Sequence, residues 1–276
     1  MINSYQDIKF VIVGPGHTGS TWLASQLRKT KDIYISNEIN WLNWSSLHSN
    51  NTLQDYFIES GVKKIIGEHA NTYFTYPNAA RMLKNASPNA KIIIVYRDPL
   101  ERAISHFLFD RRYGTIPRRL SVDYVLFPDF LYQRYITQGL YCNYLTEYLK
   151  FFNPEQLFLF ISPSHNINAS NQFNNLKLFL GSEDEDTIAN TTQKINQSKT
   201  PLYPFIHWYS VFGKPGLFKS ILQFFDKINC CIGGKLFVDK ISDYEVRRFS
   251  EALGLNEKEN LIKLCRKHEI AGYEFL

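Results

Sequence analysis

Three short runs, Phe10–Val13, Ile92–Tyr96 and Leu157–Ile161, carry apolar side chains at consecutive positions and are bounded by polar or turn residues. A strand buried on both faces has this pattern, as in a parallel sheet covered by helices. Helical periodicity separates or follows these runs at Thr21–Lys29, Pro77–Asn85, Pro99–Tyr113 and Ile136–Phe152, with Pro77 and Pro99 placed as first-turn prolines. Strands alternating with helices imply an α/β fold in which a parallel sheet is flanked by helices, a three-layer sandwich. The stretch Gly181–Thr200 is polar, rich in Asn, Thr and Asp, and without a period, which predicts a surface loop. Beyond it, Tyr203–Phe237 is aromatic, apolar and dotted with Lys214, Lys219 and Lys227, and Ser242–Glu269 reads as a helical pair broken near Gly254.

Composition narrows the function classes. With 276 residues and 44% hydrophobic content, residues 1–276 are expected to form one domain with insertions. A formal charge of +5, spread along the chain rather than massed in runs, argues against nucleic acid as a partner and fits a small anionic ligand. Cys142, Cys230, Cys231 and Cys265 show neither zinc-site spacing nor the density of a disulfide framework, so a reduced, cytoplasmic setting is expected, with no metal. No export signal is legible at the start, and no transmembrane segment of about 18 uninterrupted apolar residues occurs. The lysine-dotted stretch fits a peripheral membrane contact or a packed helical pair, of which the pair is the plainer reading.

Two segments carry candidate chemistry. In Phe10-Val-Ile-Val-Gly14-Pro-Gly16-His17-Thr18-Gly19-Ser20-Thr21-Trp22, a glycine-rich turn joins a strand to a helix. Unpaired N–H groups at a helix start face any anion held there, so phosphate or sulfate is the natural ligand. A nucleoside-triphosphate P-loop demands lysine where this chain has Ser20, which counts against a P-loop-type small-molecule kinase. In the second segment, Lys91-Ile-Ile-Ile-Val-Tyr-Arg97-Asp98-Pro99-Leu-Glu-Arg102-Ala-Ile-Ser105, a strand again runs into a helix. Arg97 at its carboxyl end and Ser105 two turns on are placed to converge on one phosphate, a guanidinium fork and a hydroxyl. Arg102 fits pairing with a surface acid as well as ligand contact.

In this order and spacing the two segments resemble the nucleotide-binding signature of sulfotransferases that use 3′-phosphoadenosine-5′-phosphosulfate (PAPS). The match leans toward the branch with the heparan sulfate sulfotransferases and bacterial relatives. Ser36-Asn37-Glu38 resembles that branch's acidic segment, Gly67-Glu68-His69-Ala70-Asn71-Thr72-Tyr73-Phe74 its second acidic segment, Gly139-Leu140-Tyr141 its G-x-Y, and Asn196–Pro201 its late loop. The likeness fades beyond about residue 200, leaving residues 201–276 as a variable helical part. Two departures stand out: His17 and His69 occupy positions where the family usually has lysine.

The resemblance implies a P-loop-like fold and transfer of a sulfuryl group from PAPS, with PAP as product, to a hydroxyl or amine of a small-molecule or carbohydrate acceptor. It implies a nucleotide site of Gly16, His17, Thr18, Gly19, Ser20, Thr21, Arg97, Ser105 and Lys199, with Gln197 beside the last. Loop dipoles, and His17 as a cationic donor, would meet the leaving oxygen, while Glu38 serves as general base. His69, oriented by Glu68, is the alternative base, although a satisfied core histidine is nearly as good an account of it. Trp41, Trp44, Tyr73, Phe74 and Tyr76 line an acceptor pocket or belong to the core. A non-catalytic PAP-binding relative that has lost its lysines is the reading from another class.

Overall fold

Five strands, β1 (Phe10–Val13), β2 (Ile33–Glu38), β3 (Ile65–His69), β4 (Lys91–Tyr96) and β5 (Leu157–Ile161), form one sheet in the order β2-β3-β1-β4-β5. Every pairing is parallel. The computed structural model describes residues 4–42, 52–57, 63–117, 119–127, 130–162, 169–184, 241–254 and 256–276. The described α-helices are α1 (Ser20–Leu27), α2 (Ala79–Ala86), α3 (Pro99–Tyr113), α4 (Val122–Val125), α5 (Phe130–Tyr135), α6 (Tyr141–Leu149), α7 (Ala169–Leu180), α8 (Asp243–Leu253) and α9 (Glu257–Lys267), with short 3-10 turns among the connections.

Because successive strand residues point to opposite faces, each apolar run feeds two cores. Val11, Val13, Ile92, Ile94, Leu157 and Leu159 pack with Leu83 of α2, Leu145 of α6 and Leu261 of α9. Phe10, Ile12, Ile93, Val95, Phe158 and Phe160 pack on the other face with Leu23 and Leu27 of α1 and Phe173 and Leu176 of α7. This double burial is why the runs are apolar at every position. Each large side chain so buried stabilises the fold by about 1.5–3 kcal/mol. Gly67 of β3 leaves room for the Phe10 ring, since a Cβ there would lie 2.2 Å from it.

Contact density divides the chain into two units. The first, Met1–Asp98, Leu140–Gln193 and Asn256–Leu276, holds the sheet and both of its cores. The second, Pro99–Gly139 and Lys194–Leu255, has its own core of Ala103, Phe107, Val122, Val125, Tyr135 and Phe249. Within it Asp110 is wholly buried and accepts from Arg134 Nε at 2.6 Å, Arg134 Nη2 at 2.9 Å and Tyr135 Oη at 2.6 Å. A buried carboxylate paired and hydrogen-bonded in this way escapes the penalty of an isolated charge. Among the described residues no helix is long and apolar enough to cross a membrane.

Several elements differ from the sequence expectations. Asn78, in the left-handed conformation at φ 65°, caps α2, so the helix starts at Ala79 and Pro77 precedes its first turn. The helix expected over Ile136–Phe152 divides into a 3-10 turn, Thr137–Gly139, and α6. Strand β2, which is not among the apolar runs, passes a bulge between Ile35 and Glu38. Helix α7 is unexpected because Asn and Ser weaken local helical preference, yet Phe173, Leu176 and Leu180 recur on one face and their burial prevails. Residues 185–240, which include most of the expected polar loop and the whole of Tyr203–Phe237, lie outside the described residues.

Candidate active site

All five strands end on one edge of the sheet, and the chemistry-bearing residues follow those ends. After β1, Gly14 turns the chain so close to β4 that a Cβ would lie 2.9 Å from the Val95 carbonyl oxygen. His17 adopts φ 70° and Gly19 φ 92°, both left-handed; the second suits glycine, whereas the first strains a histidine by about 1 kcal/mol. Thr18 is buried, and its hydroxyl donates to the Pro15 carbonyl at 3.0 Å, which closes the turn. Any help it gives an anion therefore comes from its backbone N–H. Helix α1 starts at Ser20, buried, with Thr21 exposed beside it, and its first-turn N–H groups lack intrahelical acceptors.

The neighbouring strand ends close around this loop. Arg97, directly after β4, donates from Nη1 to the His17 carbonyl at 3.1 Å, and its backbone N–H donates to Tyr141 Oη at 3.2 Å. A Cβ on Gly19 would lie 3.3 Å from Ser162 Oγ, which places a hydroxyl from the end of β5 beside the loop. Sequence reasoning passes over Ser162; its only signal is its place directly after a wholly apolar strand. The structure thus brings Gly16–Thr21, Arg97 and Ser162 together. Ser105 is half-buried on α3 in the second unit.

On the other side of β1, Glu38 at the end of β2 is the register partner of His69 at the end of β3, and Ile12 of β1 is the partner of His69 on its far side. Glu38 is exposed, but dehydration by the protein packed around its carboxyl raises its pKa, against hydrogen bonds with Asn40 and Asn71 that lower it. His69 is only 2% exposed. Burial first, and then the charge of Arg28, push its imidazole down to about 4, so it is neutral at neutral pH. Among the described residues its Nε2 finds no hydrogen-bond partner. Arg28 donates to the carbonyls of Ile35 at 3.2 Å and Ser36 at 2.6 Å and to Asn37 Oδ1 at 3.2 Å, serving backbone groups around the β2 bulge.

Glu68 does not orient His69. Adjacent residues of a strand face opposite ways, and Glu68, fully buried, turns to the other core, where it accepts from Tyr5 Oη, Tyr73 Oη and the Trp41 N–H. Burial lifts its carboxyl to about 7 despite those bonds. Arg102 is not at the surface: it is wholly buried in the second unit and donates to the carbonyls of Arg134 and Tyr135. Tyr73 and Phe74 belong to the core, Trp41 is half-buried against Tyr56, and Tyr76 is exposed. Lys199, Gln197 and Trp44 lie outside the described residues. Among the described residues, no group of three or more His, Cys, Asp or Glu is arranged to hold a metal ion.

A family model described as the sulfotransferase domain matches residues 7–200, more than half of the chain. The membrane-associated sulfotransferase kil1 of Dictyostelium discoideum is 30% identical over 110 residues, 36% of this chain and 22% of that protein. The bifunctional heparan sulfate N-deacetylase/N-sulfotransferase 1 of Caenorhabditis briggsae is 27% identical over 166 residues, 53% of this chain and 19% of that protein. The chain therefore spans about a fifth of the length of these curated relatives. In fold, it superposes on a sulfotransferase from Alicyclobacillus acidocaldarius with a TM-score of 0.59 at 20% identity, covering 78% of this chain and 96% of that one. On the match across residues 7–200, the chain belongs to the sulfotransferase family.

Proposed function

We propose that the protein transfers a sulfuryl group from PAPS to a hydroxyl or amine of a small-molecule or carbohydrate acceptor. The observation that supports this most is the division of labour along one sheet edge. An anion cradle, Gly16–Thr21 with Arg97, lies on one side of β1, and a carboxylate raised toward neutrality, Glu38, lies on the other. PAPS fits the cradle by its chemistry: a helix start with open N–H groups and a guanidinium suit phosphate and sulfate oxygens.

When bound, PAPS supplies the sulfur electrophile: its S–O bond to the nucleotide breaks as the acceptor oxygen or nitrogen bonds to sulfur, and PAP leaves with the bonding pair. Glu38 takes the acceptor's proton, a role in which a carboxyl with a raised pKa works better near neutrality. It is preferred to His69 as base because it is exposed at the edge, whereas the His69 imidazole is buried and holds a proton poorly. The N–H groups of the loop and the His17 side chain stabilise charge on the leaving oxygen. Arg97 holds a phosphate of the nucleotide. Free Cys142 and Cys265 support a reducing, cytoplasmic setting.

Two measurements test this reading. PAP release is followed over a panel of hydroxyl and amine acceptors, and calorimetry compares PAP with Mg-ATP. PAP should bind without metal, and Arg97→Ala should weaken it by about 1.5–3 kcal/mol, the scale of a charge-assisted hydrogen bond. A preference for Mg-ATP, or unchanged affinity in Arg97→Ala, overturns the assignment.

A further inference from the structure

We infer that Glu68 is a positioning residue for Glu38: from the opposite face of β3 it pins the segment 39–42 that leads away from the base. The inference rests on the sulfuryl-transfer reading for the role of Glu38, while the pinning itself stands on geometry alone.

Glu68 is fully buried and its carboxylate collects three donors. Its Oε1 accepts from the Trp41 backbone N–H at 2.8 Å and from Tyr73 Oη at 3.1 Å. The Tyr73 hydroxyl in turn accepts from the Leu42 N–H at 2.5 Å. Two consecutive backbone N–H groups just beyond Glu38 are therefore tied to one carboxylate, one directly and one through a single tyrosine. Between them and the base, Asn40 holds a left-handed turn at φ 48°, and its Oδ1 accepts from Thr72 Oγ1 at 2.6 Å. Asn40 also hydrogen-bonds the Glu38 side chain. With the segment fixed behind and turned at Asn40, the Glu38 carboxyl has little freedom to leave the end of β2.

The same carboxylate contains its own control. Tyr5 Oη donates to Glu68 Oε2, the other oxygen, and among the described hydrogen bonds Tyr5 reaches residues 39–42 only indirectly, through the Tyr73 hydroxyl. A merely structural carboxylate would feel the loss of either tyrosine hydroxyl in the same way. A positioning carboxylate would not.

The test uses Glu68→Gln, Tyr73→Phe and Tyr5→Phe in the full chain. Readouts are amide exchange at Trp41 and Leu42 by NMR, PAP affinity, and acceptor kcat and KM. Glu68→Gln and Tyr73→Phe should speed exchange at both amides, and lower acceptor kcat/KM, by about tenfold or more, the worth of one buried hydrogen bond. PAP affinity should stay within about twofold, because the cradle does not touch this network. Tyr5→Phe should lose comparable thermal stability yet keep both readouts within about twofold. If all three variants lose activity in step with Tm, or if Glu68→Gln and Tyr73→Phe keep wild-type protection at Trp41 and Leu42, the inference is wrong. If instead the wild type forms no PAP from PAPS with any acceptor, the sulfuryl-transfer reading fails, and the exchange measurements still decide whether Glu68 pins the segment.

Discussion

On one face of β3, Glu68 is entirely buried, and two tyrosine hydroxyls and a backbone N–H satisfy it. On the other face the next residue, His69, is almost as buried, and among the described residues its Nε2 finds no hydrogen-bond partner. Neighbours on one strand thus meet opposite physical conditions. A satisfied buried carboxylate is a structural pin, and removing it strands its partners. A buried imidazole nitrogen without a hydrogen-bond partner contributes nothing to stability that an apolar side chain could not, and it carries the desolvation cost of a polar atom.

The largest effect should come where the two faces meet, at the base itself. Glu38→Gln keeps the size of the side chain and removes its proton affinity, so kcat should fall about a thousandfold while the fold persists. A turnover within tenfold of wild type, with circular dichroism unchanged, would transfer the base role elsewhere.

Next come the two faces compared directly in urea. Glu68→Leu strands Tyr5 Oη, Tyr73 Oη and the Trp41 N–H and should destabilise by about 4 kcal/mol. His69→Leu should stay within about 1 kcal/mol of wild type, or gain stability. Equal losses in the two variants would erase the distinction.

Titration sharpens it further. Glu68 stands at about 7 in the folded chain against an ordinary 4.5, so its contribution is full below pH 4.5 and is lost as pH rises through about 7. His69 stands at about 4 against 6.5, so its contribution is full above pH 6.5 and is lost as pH falls through about 4. Each amounts to about 3 kcal/mol, and in the wild type they offset each other. Glu68→Gln should therefore show stability rising between pH 4 and 6.5, and His69→Gln stability falling between pH 4.5 and 7, as measured by unfolding across pH.

The smallest effect concerns the other histidine that departs from the family pattern. His17→Gly relieves the left-handed backbone at φ 70° but adds unfolded-state entropy, so stability should change by less than about 1 kcal/mol. A fall in kcat without a change in Tm then reports the imidazole at the leaving group, and an unchanged kcat assigns that work to the loop dipoles.

Much of the sheet was legible in the chain. Phe10–Val13 and Leu157–Ile161 match the strands residue for residue, and Ile92–Tyr96 misses only Lys91, because double-sided burial leaves an unbroken apolar run. Pro99–Tyr113 is exact, since a proline that suits a first turn marks its start. The strand–turn–helix order likewise exposed the loop at Gly16–Thr21. Helix α7 was hidden, because its Asn-rich surface obscures a stripe that only packing on the sheet makes decisive.

For the site, local order was enough to nominate Arg97 and the first loop, because each follows the end of a strand and a parallel sheet gathers such ends on one edge, whereas Glu38 and His69 were nominated by the family resemblance. What sequence could not supply was which way neighbouring side chains turn and what they meet there. Glu68 and His69 read as a couple, yet the pleat sends one to Tyr5, Tyr73 and Trp41 and the other toward Arg28. Ser162 and Arg28 reach their places only through strand order and a bulge, both set by contacts between residues far apart in the chain. Residue type and spacing determined which chemistry the chain carries, and tertiary packing decided which groups are paired, dehydrated or left open, because burial and hydrogen bonding are properties of neighbours in space.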